Sequence, residues 1–139
     1  MLTVVLDTSV LVAAARSKSG ASQRLLRLLP DSRFQPAISV SLFAEYSAVL
    51  KRSEHLRERT PEQADGFLNF LLSTAVLQEV YYSWRPMLSD PNDDMILELA
   101  VAAGCRYIVT HNIADFLGCD RFGAEALTPG SFLRRLGEK

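Results

Sequence analysis

The first sixteen residues restrict the fold more than any other stretch. Leu2, Val4, Val5 and Leu6 form a near-continuous apolar run rich in β-branched side chains. Such a run reads as a strand buried on both faces, the kind found in the middle of a parallel sheet. Asp7-Thr8-Ser9 breaks it, and the apolar, Ala-rich Val10–Ala15 turns the strand directly into a buried helix. Open α/β sheets bind ligands beyond the carboxyl ends of their strands, which is where Asp7 stands. Taken alone, Asp7 or Ser9 is better read as a cap on that helix. Chemistry at Asp7 requires other acids to arrive at the same place.

The rest of the chain repeats the strand-then-helix pattern. Ser22–Leu29 carries leucines at helical spacing and stops at Pro30. Phe34–Ile38 reads as a second strand, which Pro36 argues is short or lies toward the sheet edge. Ser39 is a good N-cap for a helix running to about Lys51, and the mixed charges of His55–Arg59 read as a solvated turn. Thr60-Pro61-Glu62-Gln63 combines a cap residue, a first-turn proline and a capping-box Gln, starting a helix that continues to about Thr74. Val76–Tyr82 reads as a third strand. The turn Ser89–Asp94 leads into a helix over Asp93–Ala103 that Gly104 ends. Tyr107–Thr110 is a fourth strand, followed by the acid-bearing loop His111–Phe116. A weak strand at Ala126–Leu127 and a helix from Thr128-Pro129 close the chain. Alternating strands and helices predict an α/β fold: a three-layer α/β/α sandwich around a mostly parallel, twisted sheet of four to five strands, one domain over residues 1–139.

Bulk properties narrow the class. Of 139 residues 48% are hydrophobic and 22% charged, the balance of a globular chain with a proper core. No apolar run reaches the ~18 residues of a bilayer span, so no membrane association is expected. No basic region precedes the first apolar stretch, which argues against a signal peptide. Cys105 and Cys119 read as reduced packing thiols in a cytoplasmic protein, and His55 and His111 are too few for a His-based zinc site. With 15 basic and 16 acidic residues the net charge is −1. Affinity for phosphates must then come from local arginines or a bound cation.

Three further acidic positions draw attention by where they fall. Glu45 follows Leu42 by three residues, on the edge of a stripe formed by Leu42, Tyr46 and Val49. In isolation it reads as a side chain snorkelling to water. Among Asp90, Asp93 and Asp94, the spacing to Ile96, Leu97 and Ala100 puts Asp93 on the core-facing stripe. Asp94, about 100° away on the wheel, reads as solvated or helping the cap. Asn112 and Asp115 lie just past the fourth strand, where an Asx-turn loop is the plain alternative. If the first and fourth strands are neighbours, Asp7, Asp93 and Asp115 come together with Glu45 at their flank. Crowded like charges call for a positive compensator, and a divalent cation supplies one.

These residues, in this order, resemble the PIN-domain family. The resemblance rests on Asp7-Thr8-Ser9-Val10-Leu11, Glu45 in a capped helix, Asp90-Pro-Asn-Asp93 before an apolar helix, and Val109-Thr110-His-Asn112-Ile-Ala-Asp115-Phe116. With Arg121-Phe-Gly and Leu127-Thr-Pro-Gly-Ser-Phe132 it is most similar to the VapC-like branch, the toxin half of toxin–antitoxin pairs. The resemblance implies an endoribonuclease dependent on Mg²⁺ or Mn²⁺ that leaves a 5′-phosphate and a 3′-hydroxyl. It implies Asp7, Glu45 and Asp93 as catalytic, metal-holding acids, with the fourth place open between Asn112 and Asp115. Ser9 and Thr110 match small hydroxyl residues that support the acids, and Asp90, Asn112 and Asp94 stand as further supporting positions. It also implies an RNA substrate, an antitoxin encoded next door and a homodimer. Arg16 and Lys18 are candidates for the RNA backbone, with ordinary surface charge as the equal alternative. Tyr81, Tyr82 and Trp84 read as buried or self-associating. The rival reading is a catalytically weak or inactive module that acts by binding RNA or protein. A receiver-type switch would want paired acids after the first strand and a lysine after the last. An Asp-x-Asp phosphatase would want an acid where Ser9 stands.

Overall fold

In the computed structural model, which describes residues 1–80 and 91–138, Leu2–Leu6 is strand β1. Helix α1 (Thr8–Arg16), helix α2 (Ala21–Arg27) and strand β2 (Phe34–Ile38) follow. Helices α3 (Val40–Leu50), α4 (Ser53–Leu56) and α5 (Pro61–Ser73) lead to strand β3 (Val76–Leu77). Helix α6 (Pro91–Ala102) precedes strand β4 (Tyr107–Val109), and 3-10 turns at Ile113–Phe116 and Cys119–Phe122 precede strand β5 (Glu125–Leu127) and helix α7 (Pro129–Arg135). The strands form one all-parallel sheet in the order β3-β2-β1-β4-β5.

β1 is central, with β2 on one side in the register Leu2↔Phe34 and β4 on the other in the register Val4↔Tyr107. Successive strand residues point to opposite faces, yet Val4, Val5 and Leu6 are all fully buried. Both faces of the sheet are therefore covered, as the unbroken apolar run predicts. Helix α6 packs directly on β1, β2 and β4, and α3 packs against α1 and α5. The helix starts follow the local chemistry. The Ser39 hydroxyl accepts the Leu42 N–H, Thr60 and Gln63 form a reciprocal capping box, and Thr128 accepts the Ser131 N–H.

Several expectations are corrected. Pro36, read as making β2 short or placing it toward the edge, does not make it the outermost strand: β2 is second from the edge, and the two-residue β3 pairs beyond it (Ala37↔Val76). The Gln78 N–H donates to the Ile38 carbonyl at 3.0 Å, so Ile38 and, by alternation, Pro36 turn their peptide edges toward β3. β3 begins pairing only at Ala37, and the missing N–H of Pro36 falls where no strand lies. The turn expected at His55–Arg59 overlaps a helical turn, α4, which ends at Arg57 with φ 56°. The third strand covers only Val76–Leu77. Its expected end at Tyr82, together with Tyr81, Trp84 and Asp90, lies outside the described residues. No helix among the described residues is long and apolar enough to cross a membrane.

Phe132 of α7 joins the sheet from beneath. It is fully buried and meets Phe34 edge-on at 5.3 Å and Tyr107 at 5.8 Å between ring centroids. Phe132→Ala empties a ring-sized space beside β1's two neighbours, and we expect it to cost about 3–5 kcal/mol. Urea unfolding checks this through a lower midpoint at an unchanged slope.

Candidate active site

The site is built where β1 ends. The Asp7 N–H donates to the Val109 carbonyl at 2.9 Å, continuing the β1–β4 ladder past the strand. Asp7 occupies the N-cap position of α1, yet its side chain makes no capping hydrogen bond. Its carboxylate turns instead across to β4. Oδ2 accepts from the Thr110 hydroxyl at 2.7 Å and from the Ser9 hydroxyl at 2.8 Å. Each hydroxyl has one proton to give. Thr110 Oγ1 accepts the Asn112 N–H at 2.9 Å, and Ser9 Oγ accepts the His111 N–H at 3.2 Å. Those backbone donors fill the oxygens' acceptor side, so both protons are directed at Asp7. Only 7% of Asp7 is exposed, and this pair of donors is what makes burying its charge tolerable.

Glu45 approaches from α3. It is half-buried, while Leu42, Tyr46 and Leu50 on the same helix are buried. Its Oε2 accepts from the Thr8 hydroxyl, the residue next to Asp7. One of its two oxygens is thereby turned to the end of β1 and not to bulk water. Tyr46 explains why α3 sits so close. β1 pairs with β2 only through Val4↔Pro36, because the chain turns into α3 soon after Ile38. The Leu6 carbonyl faces that gap, and the Tyr46 hydroxyl fills it at 2.5 Å. Burial raises the Tyr46 phenol well above its ordinary range, and the charges of Asp7 and Glu45 raise it further. It stays protonated and keeps donating.

Among the described residues neither Asp7 nor Glu45 forms an ion pair. Two adjacent inward carboxylates are thus held by hydroxyls alone. Oδ1 of Asp7 and Oε1 of Glu45 accept no hydrogen bond among these residues. The other expected residues are placed less closely. Asp93 is half-buried in the first turn of α6, in the middle of that helix's buried arc. Asp94, read as solvated or helping the cap, is only 8% exposed. It sits three residues before the buried Leu97, at the edge of an arc that also takes in Ile96, Leu99 and Ala100. Asn112 and Asp115 are exposed, and the Asp115 N–H donates to the Asn112 carbonyl at 3.0 Å within the 3-10 turn. Arg16, the last residue of α1, and Lys18 just beyond it are exposed; Arg16 lies about 13–14 Å along the helix from Asp7, and neither is brought to the acids. Thr8, Tyr46 and the Ser22–His111 pair are contacts that sequence reasoning missed. Only the fold brings them together, and no spacing along the chain announces them.

A family model described as PIN domain matches residues 3–114. The chain belongs to the PIN domain family. The match spans Asp7, Glu45, Asp93 and Asn112 and stops one residue short of Asp115. No curated protein matches the chain. PIN domains are in general nucleases that bind RNA and use divalent metals, and the donors of this one suit that chemistry. The oxygens left unengaged, Oδ1 of Asp7 and Oε1 of Glu45, are carboxylate oxygens, the ligands of hard cations. Among the described residues no three His, Cys, Asp or Glu side chains are grouped as a ready metal cage. A small hard cation needs none, since it keeps several waters and binds through one or two carboxylates plus substrate phosphates.

Tyr46→Phe tests how this PIN domain supports its acids. It leaves the buried Leu6 carbonyl without a donor and should cost about 1–3 kcal/mol, measured by chemical denaturation.

Proposed function

We propose that the chain is a Mg²⁺- or Mn²⁺-dependent endoribonuclease and the toxin half of a VapC-like toxin–antitoxin pair. On this reading residues 1–139 act as one PIN domain, in the cytoplasm, as a homodimer. The observation that carries the proposal is the pair Asp7 and Glu45: inward, adjacent, fastened by hydroxyls and balanced by no cationic side chain among the described residues. Asp7, Glu45 and Asp93 would hold the ion, with Asp115 or Asn112 of the following loop completing the set. When bound, the ion would hold the scissile phosphate and lower the pKa of a water. The chain's own part is orientation. Ser9 and Thr110 hold Asp7 in place by the hydrogen bonds they donate, and Thr8 does the same for Glu45. Asp94 caps the buried arc beside Asp93. Asp90, just ahead of α6 in sequence, is proposed to support the same acids. Arg16 and Lys18 would meet the RNA backbone away from the scissile phosphate.

The alternative, a weak or inactive module that binds RNA or protein, draws support from Asn112 in place of an acid and from the exposure of Asp115. One comparison separates the two. Purified protein with Mn²⁺ should cut RNA, and Asp7→Asn and Asp93→Asn should each lower the rate by more than about 100-fold, since even indirect supports of metal ligands cost 10–100-fold. Equal activity in wild type and variants would assign the cleavage to a contaminant, and an absence of Mn²⁺ binding by calorimetry would favour the binding module.

The partner proposal rests on a groove of about 510 Å³ among α1, α2, α4 and α5. Leu11, Ala14, Leu26, Leu50, Phe67 and Phe70 line it. Exposed Arg27 and Arg59 border it, and His55 Nδ1, buried without a partner, adds a polar contact. An antitoxin segment with an apolar face and acidic flanks would fit, entering beside Leu11, about one helical turn from Asp7. Co-expression of the adjacent small gene should relieve growth inhibition by the wild type. Phe70→Glu, at a 46% exposed position, should abolish that relief and co-purification while leaving RNA cleavage unchanged.

A further inference from the structure

We propose that His111 is a positioning residue: through its imidazole bond to Ser22 it holds the Asn112–Asp115 loop, and the Ser9 hydroxyl, in place beside Asp7. The inference rests on the nuclease reading above. His111 is exposed, but its ring does not simply face water. Nε2 lies 2.7 Å from Ser22 Oγ, and Ser22, in the first turn of α2, is only 3% exposed. The anchor is thus a buried hydroxyl on a helix that packs against α1 and α7.

The backbone shows why such an anchor is needed. The His111 N–H reaches Ser9 Oγ at 3.2 Å, at the long end for an N–H···O bond and weak by itself. That bond fills the acceptor side of Ser9 and directs the Ser9 proton to Asp7 Oδ2. A relay runs from Ser22 through the His111 ring, the His111 N–H and Ser9 to the carboxylate. Loosening the ring frees Ser9 to reorient and lets the following residues, Asn112 and Asp115, drift. Because Nε2 is engaged with Ser22, a proton-transfer role for that nitrogen is disfavoured and a structural hold on the loop is favoured. Residues that orient metal ligands from behind commonly govern affinity 10–100-fold.

The test uses Ser22→Ala, His111→Ala and His111→Gln in the full chain. Mn²⁺ affinity is measured by calorimetry, amide hydrogen exchange over 111–116 in metal-free protein, and cleavage as separate kcat and KM. Both alanine variants should weaken Mn²⁺ binding about tenfold, lower kcat at unchanged KM, and speed exchange of the 111–116 amides while leaving those of α5 unaltered. His111→Gln should restore all three, because its amide reaches the place of Nε2 and both donates and accepts. Unchanged loop exchange in the alanine variants overturns the inference whatever the metal result. So does unchanged Mn²⁺ affinity in variants of a wild type that binds the ion. A wild type that neither binds Mn²⁺ nor cuts RNA overturns the nuclease reading instead.

Discussion

A negative charge buried at the end of the central strand is the constraint around which this structure is arranged. An ionised carboxylate taken out of water is costly unless it is well hydrogen-bonded. Asp7 meets that requirement with two hydroxyls whose own acceptor sides are filled by backbone N–H groups. The arrangement works only if β4 lies beside β1, since Thr110 leaves β4 as Asp7 leaves β1. Strand order, strand register and the orientation of one carboxylate are therefore a single requirement. Glu45 brings a second charge to the same place, and no cationic side chain among the described residues answers either. Two carboxylates in that setting are compatible with the divalent-metal chemistry general to PIN domains.

Much of this could be read from the chain, for reasons specific to each part. The apolar β-branched run at Leu2–Leu6 identified a doubly buried strand, because burial on both faces removes the polar alternation of an exposed sheet. Ser39, Thr60 and Thr128 announced their helices because capping is local chemistry between residues three apart. The failures come from contacts with distant elements. Pro36 suggested an edge because a proline removes one donor, but the cost depends on which neighbour that donor would have met, and β3 stops short of it. Asp94 was read as solvated or helping the cap from a helical wheel, which cannot see that α6 is wrapped by β1, β2, β4 and α3. Asp7 was, by itself, better read as a cap. Whether its side chain turns to its own helix or to β4 is decided by Thr110, 103 residues away.

That separation has a consequence in time. Parallel pairing between strands far apart in sequence cannot begin until both have been made. A growing chain that has emerged through α3 already carries Asp7, Thr8 and Glu45, yet it lacks β4, the Thr110 hydroxyl and the loop behind it. Until β4 is made, β1 lacks one of its two neighbours and Asp7 lacks the Thr110 donor.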